Sequence, residues 1–407
     1  MGILHNTGVT NDGLVFGYDT GLPVNTNFVG SRFFPGEPTT NATPLTNFFN
    51  LSNWTAGGWS GGAAYSSIYD NALEFTVTNG WRTFAIDHGI TSGGTVRASF
   101  EYRLKSQQTA GIYGLVLNGL NLGNYHNNLG NISNADLEDS LTNGWKSYTG
   151  SFTANNNTYG SKLAIGLRGN DNGGLTDVLI IRKLQVEQKS HSTPYTETSR
   201  SNTASLIDLK RGLNIDVSSV SFNSSSQPDF DGTDDKGVIT NFPHVWADSM
   251  TMECVVKFED DGRSIILGNY NVSANDVNFE KLTNGILRFY WNRGERDVST
   301  SNNVVTTNGS SYHHCVFVRD VYNNCFKFYV DGILVNTVSN AGTNITFTSN
   351  SGFTMPSGHN TFRFGGDTRN GDTIHNGEIP IIRVYNRCLK ADEVTRNFNA
   401  YKNRFNL

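Results

Sequence analysis

The sequence predicts an all-β protein made of two antiparallel β-sandwiches and one short C-terminal helix. Three observations carry this. Apolar content is only 37%, yet aromatic content is 12%, with 25 Phe and 16 Tyr; such a core suits pleated strands. Glycine numbers 43, and runs such as TNG, SGG, NNN and NDNGG punctuate the chain as turns. Between them lie many short apolar or alternating runs, the pattern of sandwiches rather than of a helical bundle. At 407 residues the chain exceeds one ordinary domain, and two or three are expected.

Residues 1–12, MGILHNTGVTND, are too short for a domain. They read as an anchoring arm, with Ile3, Leu4 and Val9 as contacts buried in a partner. The start has neither the basic n-region nor the apolar h-region of a signal peptide. Residues 13–44 hold a first strand, 14–18, and an extended Pro/Asn/Thr/Gly-rich connector whose Phe28, Phe33 and Phe34 call for burial.

Residues 45–197 form the first compact unit. Strands are expected at 72–78, 81–86, 95–104, 112–117, 145–153, 162–168 and 176–187, and a brief helix at 133–141, SNADLEDSL. Residues 198–407 form the second. FYVDGILV reads as a hairpin, because Asp331-Gly332 supplies the two positive φ angles of a type I′ turn. Residues 378–385 are a strand. The helix at 389–405 brings Val394, Phe398, Tyr401 and Phe405 to one face. Asp392 and Glu393 in its first turn and Lys402 and Arg404 in its last oppose the helix dipole, and Leu389 with Val394 is spaced as a hydrophobic staple.

The four cysteines, Cys254, Cys315, Cys325 and Cys388, make no C-x-x-C pair, so buried free thiols are expected rather than a zinc or redox site. An alternative, which the geometry of the hairpin decides, is that Cys315 and Cys325 face each other across it. The net charge of −5 and the lack of a basic stripe in the sequence argue against nucleic acid and a membrane surface as electrostatic partners. No apolar run reaches the length of a spanning helix.

The closing pattern, G-E-I-P-I-I-R-V-Y-N-R-C-L followed by E-V and N-A-Y-K-N-R-F, resembles the last strand and terminal helix of laminin-G-like, concanavalin A-like jelly rolls, above all those of bacteriophage virion proteins. Lys390 stands where those carry a Ser or Thr cap, which predicts fraying at the helix start. TASLIDLKRGLNIDV and PDFDGTDDKGVI resemble the opening of the same domain. NWTAGGWS, GWKSYTGSFTA and VLIIRKLQVEQKSHSTPYTET resemble a galactose-binding-like carbohydrate-binding module. The resemblance implies two antiparallel jelly-roll β-sandwiches. The first strand of the C-terminal sandwich would precede the module inserted at 45–197.

The carboxylates form no E-x-D-x-x-E run of the kind a retaining glucanase needs on one strand. Glu253 stands alone among apolar residues, and Glu259, Asp260 and Asp261 are consecutive. No nucleophile elbow, H-E-x-x-H or P-loop is present, so no enzyme activity and no catalytic residue is expected. His313 and His314 are adjacent on a strand and point to opposite faces. Asp229, Asp231, Asp234 and Asp235, in the turn DFDGTDD, are candidate calcium ligands; the alternative is a plain turn. A second candidate is the loop 170–174, NDNGG. Sugars are bound by aromatic faces flanked by polar grips. The candidates are Trp54, Trp59, Tyr65, Trp81, Arg82 and Asp87 in the first unit and Trp291 with Arg293 in the second; the alternative for each aromatic ring is a place in the core.

The resemblance therefore implies a non-enzymatic virion structural protein of a tailed phage: a fibre, appendage or decoration component assembled in the host cytoplasm. Other virion proteins of head, neck or tail are the expected partners. A homo-oligomer, as a trimer, and contact with a host glycan are also expected. The alternative is a lectin-like receptor-binding protein whose main role is carbohydrate recognition.

Overall fold

The structure is a computed structural model. It describes residues 8–20, 37–44, 48, 50–58, 63–68, 72–77, 81–90, 94–106, 115–119, 128–132, 134–154, 162–168, 177–193, 195–210, 212–243, 249–270, 277–291, 296–339, 360–368 and 373–407. The chain divides into two compact units, Met1–Glu37 with Ser201–Leu407, and Pro38–Arg200. Both are antiparallel sandwiches, and the helices of more than one turn whose bounds lie among the described residues are Asn134–Asn143 and Ala391–Phe405. Among the described residues no helix is long and apolar enough to cross a membrane. Phe28, Phe33 and Phe34 lie outside the described residues.

In the first of these units an eight-stranded sheet faces a seven-stranded one. The central strand of the larger sheet is Met250–Phe258, paired on one side with Tyr312–Asp320 and on the other with Asn376–Tyr385. Leu14–Asp19 also pairs with Asn376–Tyr385. Alternation sends Met252, Cys254, Val256 and Phe258 into the core shared with the smaller sheet. The two sheets meet ring to ring, with Phe289 of the smaller stacked on Phe317 of the larger at 4.0 Å.

The other face of Met250–Phe258 is also buried, apart from the half-buried Lys257. What covers it is the C-terminal helix: Tyr401 and Phe405 pack on Val255, Ile381 and Val9. The helix start does not need a Ser or Thr cap. Glu393 accepts the Lys390 backbone N–H at 2.9 Å and is clamped by both terminal nitrogens of Arg387, at 2.8 and 2.7 Å. The Leu389 and Val394 side chains are buried in one cluster. Asp331 and Gly332 adopt φ of 50° and 77°, and the flanking residues pair Val330 with Ile333, as the sequence predicts.

In the unit Pro38–Arg200, two five-stranded sheets enclose a core of Trp54, Leu73, Phe75, Phe84, Phe100, Leu163 and Ile181. One sheet runs, in order, Lys146–Ala154, Gly94–Ser106, Asp177–Glu187, Ala72–Val77 and Ala63–Ile68. The other holds Trp54–Gly58, Trp81–Asp87, Lys162–Arg168, Leu115–Gly119 and Asn128–Ile132. The helix Asn134–Asn143 is held by buried Leu137 and by Ser140, whose Oγ accepts the Leu104 N–H at 3.0 Å.

The free thiols expected from the sequence are found, three of them buried and Cys388 half-buried. Cys315 lies opposite Cys254 on one side and Val330 on the other, whereas Cys325 lies opposite Asp320. The tight turn at 321–324 sets a register that separates Cys315 from Cys325 along the hairpin. All four thiols are free.

Candidate functional site

Of the predicted sugar-binding residues, the described structure settles the place of Trp54, which lies in the core. Trp54 is only 2% exposed and packs edge-on against Phe48 and Phe75 at 5.9 and 5.1 Å. Its indole N–H donates to the Phe48 carbonyl at 2.9 Å. It is a core residue, because the glycines that suggested a loop belong to the strand Trp54–Gly58. Asp87 is exposed and its carboxylate caps the Gly89 N–H at 2.9 Å. Tyr65 lies on Ala63–Ile68 in one sheet, while Trp81 and Arg82 lie on Trp81–Asp87 in the opposing one. Trp291 ends the strand Ile286–Trp291, opposite Val277. Trp59 and Arg293 lie outside the described residues, as does the loop 170–174.

The structure brings together a different set. The strand Asp177–Glu187 pairs Arg182 with Glu101, and Gln185 with Ser99, so one extra residue is accommodated between them. This is a β-bulge, with Lys183 at φ 54°. A regular strand would send Arg182 and Lys183 to opposite faces. Here Ile181 and Leu184 both enter the core, while both cations reach the same carboxylate on the outer face. Arg182 Nε donates to Glu101 Oε2 at 2.6 Å, and Lys183 Nζ to Oε1 at 2.7 Å. Burial opposes ionisation of Glu101, but the bonds from Lys183 and Arg182 hold its carboxyl below the ordinary range.

Trp145 completes the arrangement. It sits between the helix Asn134–Asn143 and the strand Lys146–Ala154, half-buried, with the Arg182 guanidinium 4.0 Å from its ring centroid. The result is a partly exposed indole held by a guanidinium that is itself anchored to a carboxylate. Chemically, it offers a flat apolar surface with charged hydrogen-bonding groups at its edge. No local sequence signal marks this set, since a positive φ at lysine lacks the Gly or Asn signature and Trp145 reads as an ordinary strand residue.

In the other unit, Asp231, Asp234 and Asp235 place one carboxylate oxygen each within 4.8 Å of one another. Asp231 Oδ1 accepts the N–H groups of Thr233 and Asp234 at 2.8 and 3.3 Å, and Asp235 Oδ2 accepts that of Asp231 at 3.2 Å. These bonds belong to a turn. Burial, and then the Asp231 charge, push the Asp235 carboxyl up to about 6. Asp229 does not join the group; it lies on Pro228–Asp231 opposite Glu378.

The arm residues divide. Ile3 and Leu4 lie outside the described residues. Val9, expected as a partner contact, is buried in the chain's own core at 7% exposure, beneath Tyr401 and Phe405. Its apolar surface is already taken by the C-terminal helix. The isolated-looking Glu253 is the hub of a buried network with His314, Tyr385 and Asn397. His313 points away from it, to Thr306 and Asp331.

Residues 231–395 match the model of the concanavalin A-like lectin/glucanases superfamily, of laminin-G type, and carry that sandwich fold. No curated protein matches the chain in sequence. Among solved structures, the chain is similar to the CBM40 of the Ruminococcus gnavus IT-sialidase bound to α2,3-sialyllactose. Identity there is 16% and the TM-score 0.29, over 36% of this chain and 80% of that one. It is also similar to the binding domain of botulinum neurotoxin DC in complex with rat synaptotagmin II, at 16% identity and a TM-score of 0.35, over 49% of this chain and 50% of that one. A mutant NanB sialidase from Streptococcus pneumoniae shares 14% identity at a TM-score of 0.32, over 41% of this chain and 26% of that one.

Proposed function

We propose that the chain is a non-enzymatic attachment protein that recognises glycans through the Trp145 face of the unit Pro38–Arg200. The observation that carries this is the indole held under Arg182, with Glu101 anchoring the guanidinium. Ring stacking on a sugar and hydrogen bonds from an ordered charged pair are what saccharide recognition requires. The laminin-G-like unit serves as scaffold.

Binding without turnover fits the carboxylates. Asp229 and Glu378 face each other across two strands. Yet the Glu378 side chain is only 6% exposed and is engaged by Lys257 Nζ and the Tyr312 hydroxyl, which leaves little access for a glycosidic bond. The test is incubation of the purified chain with immobilised host-surface glycans. It should retain a subset of them at micromolar to millimolar strength and release no reducing sugar. Retention of none, or release of sugar, would overturn the reading.

The finer assignment, to a fibre, appendage or decoration component of a tailed-phage virion, is supported by the resemblance of the closing pattern of residues 376–405. Immunogold labelling of purified particles tests it. Label at tail fibres, head or neck is expected, and particles without label would contradict it.

A further inference from the structure

We infer that the ligand of the Trp145 face is an anionic saccharide, a pyranose bearing a carboxylate or a sulfate; this rests on the glycan reading above. In the strand Gly94–Ser106, Val96, Ala98, Phe100, Tyr102 and Leu104 enter the core. Alternation therefore puts Arg97, Ser99, Glu101, Arg103 and Lys105 on the outer face. Arg103 and Lys105 are exposed there. The bulge adds Arg182 and Lys183 to that face instead of one of them.

Among the described residues, Arg103, Lys105, Arg182 and Lys183 thus share the open face with two carboxylates, Glu74 and Glu101, each bonded to one or two of them, while Arg97 turns its guanidinium to the Ser190 carbonyl at 3.0 and 2.6 Å. Glu187, further along, is turned under the following segment, where it accepts bonds from Thr193 and Thr39. The chain as a whole carries −5, so the positive charge of this face is a local feature and not a property of the whole chain. A neutral sugar has no use for that excess. An anionic one is drawn to it, and guanidinium groups match planar or tetrahedral oxyanions. The neighbouring strand Lys146–Ala154 lines the same face with the exposed Ser147, Thr149 and Ser151, hydroxyl-bearing groups suited to a saccharide's own hydroxyls.

The bulge matters to this. Lysine at a positive φ is an uncommon, strained choice, and such strain persists where the surrounding structure fixes it. Its effect is to bring a second cation to Glu101 on the outer face.

The experiment is isothermal titration of the full chain with three oligosaccharides of equal length: polygalacturonate, a sulfated galactan and the uncharged galactan. Binding of either charged series at least about tenfold tighter than the uncharged one, and weakened severalfold between low and high salt, is expected; which charged series wins separates carboxylate from sulfate. Arg103→Gln and Lys183→Gln should each weaken it about threefold or more with no change in melting temperature. Equal binding of all three, insensitive to salt, would overturn the anionic assignment and leave glycan recognition standing. No binding here or to any immobilised glycan would remove both. Equally tight binding of duplex DNA would overturn the inference in favour of an unselective cationic surface.

Discussion

The backbone N–H of Thr10 donates to Asn397 Oδ1 at 2.7 Å, joining two residues 387 positions apart. Asn397 in turn donates to both oxygens of Glu253 at 3.0 Å, and Glu253 also accepts from the Tyr385 hydroxyl at 2.8 Å and meets His314 Nε2 at 2.7 Å. Burial alone would raise the Glu253 carboxyl, but the His314 bond and the His314 and Arg383 charges bring it below its ordinary value. The two chain ends are thus tied through one buried carboxylate. Asn397→Leu would strand that carboxylate and the Thr10 N–H together. A loss of about 3 kcal/mol in chemical denaturation is expected, and an unchanged midpoint would refute the coupling.

The N-terminal strap has the same consequence. Thr10 also bonds Arg396 and Tyr385, and Val9 fills a pocket under the helix. Deleting residues 1–12 should therefore lower the melting temperature by several degrees, corresponding to about 2–4 kcal/mol for a buried aliphatic side chain and its bonds. A truncated protein that melts with the full chain would contradict this.

Gly365 has φ 76°, and a Cβ there would lie 2.0 Å from the Phe230 ring. Phe230 is 1% exposed and cannot withdraw without disturbing the sandwich core. Gly365→Ala should cost about 2 kcal/mol or more from overpacking and backbone strain combined. A variant as stable as the parent in urea would show that the core yields.

Asp235 gives a pH dependence of defined sign. Its folded pKa, about 6, lies above the ordinary aspartate value of 3.8. Between those values the folded state holds a proton that the unfolded state has lost, so this group's contribution falls as pH rises from about 4 to 6. Asp235→Asn should be more stable than the parent at pH 7.5, with the advantage gone at pH 4. An advantage that is the same at both pH values would show that the carboxyl does not titrate in this window.

Much of the fold is legible because local chemistry and tertiary role agree. The Val394, Phe398, Tyr401 and Phe405 spacing marks the C-terminal helix, and its residues Val394, Tyr401 and Phe405 are buried. Asp331-Gly332 marks a hairpin, and residues 133–141 mark the short helix found at Asn134–Asn143. The site was less legible. Trp54 reads as a loop aromatic because Gly57 and Gly58 follow it, yet that segment pairs with Trp81–Asp87. Glu253 looks isolated because its partners come from other strands and the terminal helix. Arg182 and Lys183 read as strand residues on opposite faces, and only the pairing register reveals the bulge that unites them.

The central claim is that Trp145, not Trp54, presents the glycan-binding surface. The most direct measurement is a glycan microarray of the parent and of Trp145→Ala, alongside their melting curves. A defined set of bound glycans is expected for the parent, with a loss of about tenfold or more in affinity for Trp145→Ala, equivalent to about 1.4 kcal/mol, and coincident melting. Undiminished binding by Trp145→Ala would contradict it.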